Sequence, residues 1–200
     1  MDLRETPTDA AFRAEARAWL SQHVPTNLAS GDTAKGFAEH LVWERKLFEA
    51  GWAVVSWPTA YGGREASIRQ WLIFEEEYYR ANGPQRVSQN GIFLLAPTLF
   101  EFGTSAQKDR ILPAMASAQT LWAQAWSEPG AGSDLAAVRS QAVRVDGGWR
   151  LYGQKTWCTR AAFCDACFGL FRSDPDSQRH QGLTYMLSLI HISEPTRPTP

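Results

Sequence analysis

The sequence predicts an α+β chain of two domains, an all-α N-terminal domain over residues 1–118 and a β-domain over residues 119–186. Three observations predict it. Before residue 119, apolar residues recur at helical offsets through five segments. After it, short β-rich runs are divided by turn residues. The 200 residues are enough to bury a core in each part.

Each element has its own justification. Thr8 can cap a first helix whose Phe12, Ala16, Trp19 and Leu20 share one face, and Pro25 with the residues after it ends that helix. A second runs from about Ala34 to Ala50 with Phe37, Leu41, Leu47 and Phe48 inward. Gly51 follows it at a left-handed cap position. Trp57-Pro58-Thr59-Ala60-Tyr61-Gly62-Gly63 is a turn-rich loop. A third helix spans about 67–80 with Trp71, Leu72, Phe74 and Tyr78 buried. Its consecutive Glu75, Glu76 and Glu77 diverge by about 100° each, so they read as surface charge or structural hydrogen bonds rather than a catalytic pair. A fourth runs from about 91 to 102, interrupted near Pro97, and a fifth from about 106 to 118, kinked or divided by Pro113. Strands are expected at 121–127, 138–145, 149–159, 163–171 and 182–187, with a hairpin turn at Asp146-Gly147-Gly148.

Composition excludes several functions. The chain is 44% hydrophobic and 20% charged, with net charge −1, and no basic block points to nucleic acid. No apolar run is long enough to span a bilayer. The N-terminus lacks the apolar core of a signal peptide, so a cytoplasmic location is expected. Cys158, Cys164 and Cys167 could be drawn with His180 as a zinc set. Along a strand at 163–171, however, Cys164 and Cys167 would face opposite ways. Buried free thiols and no metal are expected. His23 and His40 lie on predicted helices as surface or partly buried residues. Most of the nine tryptophans are expected in the core, with one or two lining a ring-shaped ligand.

One stretch carries the chemistry. Trp126-Ser127-Glu128-Pro129-Gly130-Ala131-Gly132-Ser133-Asp134 combines glycines, which allow positive φ and close approach, with hydroxyls and a carboxylate. Free N–H groups in such a turn can cradle a diphosphate or a flavin. An ordinary strand connection would read the same way locally. Dinucleotide, Walker, Gly-x-Ser-x-Gly and His-Glu-x-x-His patterns are absent.

The ordered set Ala50-Gly51-Trp52-Ala53, Trp57-Pro58 with Tyr61-Gly62-Gly63, Pro97-Thr98-Leu99 with Phe102-Gly103-Thr104, Gln107-Lys108 with Leu112-Pro113, Ser127 to Asp134, and Gly153-Gln154-Lys155-Thr156-Trp157-Cys158-Thr159 resembles the acyl-CoA dehydrogenase family. The resemblance runs from about residue 8 to Leu187. It implies that the β-domain is an incomplete antiparallel barrel-like middle domain and that a C-terminal helical bundle is missing. It implies FAD as cofactor. Gln124, Trp126 and Ser127 would line the flavin ring, with the Ser127 hydroxyl near N5. Gly132 and Ser133 would sit by the diphosphate, Ser133 also at the acyl-CoA entrance. Trp157 would pack on the ring and Thr159 would bond its polar edge. The implied reaction is α,β-dehydrogenation of an acyl-CoA thioester, in fatty acid or other lipid metabolism. The base would be a Glu of the missing domain, so no catalytic residue is named and the chain alone is expected to be inactive and to bind flavin weakly. An electron-transferring flavoprotein and homodimers or homotetramers are the implied partners. An acyl-CoA oxidase, a nitroalkane oxidase-like enzyme or a non-catalytic subunit of a hetero-oligomer are the alternatives.

Residues 187–200 resemble the in-frame translation of a sequencing adaptor. They are expected to be a non-native tail, with the natural protein continuing beyond about Met186. His191 and Glu194 are set aside as site residues on that ground.

Overall fold

Helix starts in this chain are fixed by side chains that satisfy the free N–H groups of a first turn. The structure is a computed structural model and describes residues 4–189. It divides into two compact units, Met1–Gln119 and Thr120–Pro200. In the first, α1 (Pro7–His23) is capped by Thr6 rather than Thr8, in a capping box closed by Asp9. Pro7 decides this, because its missing N–H and fixed φ suit the first helical position. Thr33 caps α2 (Ala34–Glu49), which ends before Gly51 at φ 73. Ser67 and Gln70 form the box of α3 (Ile68–Arg80), and Thr104 and Gln107 that of α5 (Ser105–Ala116). Pro113 sits inside α5 without dividing it. The expected fourth helix is two pieces: a π-helical turn, Asn90–Leu95, runs into α4 (Ala96–Phe102). Pro97 lies in the first turn of α4, where a proline costs least, and the widened turn precedes it.

The core of this unit forms where α1 packs on α3. Trp52, 2% exposed, stacks on Phe74 with ring centroids 5.5 Å apart and takes the edge of Phe12. Leu72, expected inward, is exposed instead. His40, expected at the surface or partly buried, is buried, with its ring nitrogens against the Gln85 and Ala29 carbonyls. The three consecutive glutamates do diverge. Glu76 points to solvent, Glu75 is half-buried, and Glu77 is buried among Arg13, Arg17 and Arg80. Hydrogen bonds from Arg17 outweigh the cost of burial and, with Arg13, hold the Glu77 carboxyl down at about 2.

The second unit is a sheet of β1 (Trp122–Ala125), β2 (Gln141–Val145), β3 (Gly148–Tyr152), β4 (Ala166–Arg172) and β5 (Leu183–Leu189). Antiparallel pairing holds for the β2–β3 hairpin and for β4–β5. β1 runs parallel to β4, and β2 meets β4 in parallel at Gln141 and Arg172, so the sheet is mixed. Gly169 lets β4 approach β1, because a Cβ there would lie 2.2 Å from the Ala125 carbonyl oxygen. β3 stops at Tyr152 rather than running to Thr159, since Gly153 takes φ 139 against Ser140. β4 begins after Cys164, so the alternating-face expectation does not apply to that residue. Leu187–Leu189 continue β5 opposite Phe168, Cys167 and Ala166, three residues into the stretch expected to be a tail. Residues 190–200, His191 and Glu194 among them, lie outside the described residues.

Glu77→Gln should lower the stability of the helical unit by roughly 2 kcal/mol, less than a fully buried pair because Arg17 and Arg80 reach solvent. The carboxyl is depressed, so its contribution is complete above the ordinary value of 4.5 and disappears as pH falls toward about 2. Urea unfolding at pH 7 and near pH 2 checks both the loss and its disappearance.

Candidate functional site

Two segments of the β unit meet, the chain leaving β1 and the chain leaving β3. β1 is anchored at its start, where the Leu121 N–H donates to Asp165 at 2.8 Å. Past Ala125, the Trp126 indole packs edge-on against Phe168 and Tyr185, at 5.6 and 5.4 Å between centroids. Glu128 and Ala131 then close a tight turn through two backbone hydrogen bonds of 2.8 and 3.1 Å. Gly130 and Gly132 do not take the positive φ that their sequence allows. Both face open space, where an added Cβ would meet nothing. The turn stays accessible through absent side chains rather than through unusual dihedrals.

The second segment is tied to the first by one cation. Lys155 Nζ donates to the Trp126 carbonyl at 3.3 Å, to Glu128 at 2.9 Å and to the Leu170 carbonyl at 2.7 Å. It also lies 4.8 Å from the Phe171 ring centroid. The Lys155 and Glu128 side chains are 10% and 8% exposed. Burial opposes the Glu128 charge, but hydrogen bonds from Ser140, the Arg139 N–H and Lys155 together hold its carboxyl at about 2. The Thr156 N–H donates to the Ser127 carbonyl at 2.9 Å, so the two segments lie side by side.

This frame positions Trp157. Its φ of 58 is uncommon for a bulky residue. Its side chain is 85% exposed, although most large aromatics of the chain are covered. The Thr159 N–H returns to the Trp157 carbonyl at 3.0 Å and closes the bend. A large ring held outward in an uncommon backbone conformation is a feature that function explains better than packing does.

The expected site residues are thus partly assembled. Trp126, Ser127 and Trp157 are tied through Lys155 and Thr156, while Gly132, Ser133 and Thr159 are exposed. Gln124 instead lines a 310 Å³ pocket with Lys155, Cys158, Cys167 and Phe171. Trp126 turns its ring into the aromatic cluster behind the turn. Sequence reasoning alone misses Lys155 and Glu128. The signal for them was a carboxylate in one motif and a lysine in the other, residues of opposite charge that could pair. All three cysteines are free. Burial pushes their thiols up, Cys164 to about 12, which leaves them poorly nucleophilic at neutral pH. Among the described residues, no three His, Cys, Asp or Glu side chains gather as a metal site. No described helix is long and apolar enough to cross a membrane.

Two family descriptions match the chain: acyl-CoA dehydrogenase, N-terminal domain, over residues 6–119, and acyl-CoA dehydrogenase, middle domain, over residues 123–194. Acyl-CoA dehydrogenase IpdE1 of Mycobacterium tuberculosis is 40% identical over 183 residues, which cover 88% of this chain and 48% of that protein. Acyl-CoA dehydrogenase FadE26 of the same organism is 35% identical, over 94% of this chain and 48% of its own length. Among solved structures, the Tcur3481-Tcur3483 steroid ACAD superposes with a TM-score of 0.82 at 30% identity, over 96% of this chain and 50% of that one. The ChsE4-ChsE5 complex from Mycobacterium tuberculosis gives 0.77 at 28%, over 94% and 48%. The chain spans about half the length of the curated relatives it matches.

Lys155→Met should leave the buried Glu128 charge without its cation and destabilise the β unit by roughly 3 kcal/mol. Lys155→Arg should recover little, because a planar fork cannot reach three acceptors arranged around a point charge. Thermal unfolding followed by tryptophan fluorescence checks both.

Proposed function

Because the chain belongs to the acyl-CoA dehydrogenase family, we propose that it forms the flavin-facing part of an enzyme that removes the α- and β-hydrogens of an acyl-CoA thioester. The observation that carries this reading is the exposed Trp157 ring, held outward beside Ser127 by the Lys155–Glu128 pair. FAD, when bound, supplies the acceptor for the substrate's β-hydride. The residues of this chain bind and orient it. Trp157 offers a flat apolar face, and Thr159 a hydroxyl for the polar edge of the ring. Ser127 places a hydroxyl donor by the reacting nitrogen. Gly132 and Ser133, open to solvent, suit the diphosphate and the acyl-CoA entrance. Trp126 braces the turn from behind with its indole, and Gln124, on β1, lines the pocket next to Lys155.

Glu128 is not the proton acceptor of this reaction. Its carboxyl is held at about 2 and is bonded to Lys155 and two backbone N–H groups, so it positions the turn. The base is assigned to a Glu in the part of the relatives' length that this chain does not span. Acyl-CoA, an electron-transferring flavoprotein and further copies of the chain are the partners of this reading. A cytoplasmic setting agrees with three free thiols. A second reading, a subunit of a hetero-oligomer, is favoured by two similar solved structures, the Tcur3481-Tcur3483 steroid ACAD and the ChsE4-ChsE5 complex, each named for two proteins. The first of these is a steroid ACAD, which favours a ring-bearing acyl group over a simple fatty chain.

Flavin fluorescence anisotropy tests the reading. FAD should bind the 200-residue chain, and Trp157→Ala should weaken binding about tenfold through lost ring contact. Trp157→Phe should recover most of that loss. Equal affinity for all three proteins would sink the assignment of Trp157 to the flavin.

A further inference from the structure

Arg172, the last residue of β4, spends its guanidinium on backbone carbonyls. Its Nη1 donates to the Ser177 carbonyl at 3.3 Å. Its Nη2 donates to the Ala136 and Arg179 carbonyls, each at 3.2 Å, and lies 3.4 Å from that of Val138. One side chain thus joins two loops far apart in sequence: 134–138, which follows the glycine turn, and 173–182, which links β4 to β5. A planar fork with donors on several edges suits this task, and a single ammonium does not. Gly182 leaves room for it, because a Cβ there would lie 3.0 Å from Nη1.

The arrangement continues to the turn itself. Arg179, whose carbonyl Arg172 holds, takes φ 51, which is uncommon for a long side chain. Its own guanidinium bonds Asp134 at 3.0 Å, one residue after Ser133. The two side chains of that pair are 66% and 57% exposed, so the pair adds little to stability. An uncommon backbone conformation kept for so small a gain is a feature that position explains better than stability. The far end of the same stretch is fixed separately, where the Arg139 and Ser140 N–H groups donate to Glu128. The chain after Ser133 is therefore held at both ends, at one by Glu128 and at the other by Arg172.

We propose that Arg172 is a positioning residue for the diphosphate end of the flavin site. Through the Ala136, Val138 and Arg179 carbonyls, and through Arg179 onto Asp134, it sets where Gly132 and Ser133 stand. Trp157, at the ring end, is held by Lys155 instead and does not depend on it. The inference rests on the flavin reading above. It divides that site into two ends with separate anchors, so the two ends should fail separately.

FAD and riboflavin, which lacks the diphosphate, separate the two ends by fluorescence titration of the 200-residue chain. Arg172→Met should weaken FAD about tenfold, the order of one or two displaced hydrogen bonds to a charged ligand, and leave riboflavin within about twofold. Arg172→Lys should recover little, because it restores the charge without the fork. Asp134→Ala, at an exposed position where folding is safe, should weaken FAD about threefold, the order of an exposed pair. Charge alone predicts the opposite sign, since removing a carboxylate beside a diphosphate tightens binding. Should Arg172→Met unfold, Asp134→Ala decides. Equal loss of FAD and riboflavin in folded Arg172→Met, full recovery in Arg172→Lys, or unchanged or tighter FAD binding in Asp134→Ala overturns the proposal and leaves the flavin reading standing. Binding of neither flavin by the unaltered chain overturns both.

Discussion

A buried ammonium group organises the β unit. Lys155 is almost withdrawn from water, and such a charge persists only where it is fully partnered. Its partners come from three places: the carbonyl of Trp126 after β1, the carboxylate of Glu128 in the turn, and the carbonyl of Leu170 in β4. One side chain therefore fixes the turn, the central strand and the segment after β3 together. Glu128 extends the arrangement to the β2 side through the Arg139 and Ser140 N–H groups. The outward bend at Trp157 lies two residues beyond this anchor, and its orientation follows from it.

The helical unit uses buried charge in two ways. Glu77 and Glu44 are surrounded by donors: Glu77 ties α1 to α3, and Glu44 ties α2 to the 86–88 stretch. Glu75, on the same helix as Glu77, instead accepts from Trp71 beside a groove lined by aromatic rings. The difference arises from helical geometry. Two positions along α3, the chain has turned by about 200°, from the arginines of α1 to an aromatic wall.

Features set by local chemistry were legible in the sequence. The third helix starts where expected, with Ser67 as its cap, and Gly51 follows α2 in the left-handed conformation. The structure departs from the sequence pattern where local rules compete or distant segments decide. Pro7 drew the first cap to Thr6. The run 149–159 is rich enough in β-formers to read as one strand, but Gly153 turns away where β2 begins at Gln141 and the pairing ends. The parallel register of β1 on β4 joins residues more than forty positions apart, which no turn signal announces. Within the site, the residue types were legible but their directions were not. Trp126 and Trp157 carry the same ring, yet one packs inward on Phe168 and the other faces solvent. The Lys155–Glu128 pair spans 27 positions and emerged only from the fold.

Hydrogen exchange of the chain with and without FAD tests the central claim most directly, because it reads the proposed flavin surface amide by amide. The account predicts slowed exchange at residues 127–134 and 156–159 on FAD addition, with the β2–β3 hairpin turn unchanged. FAD binding that leaves both segments unprotected, or protects only the helical unit, would contradict it.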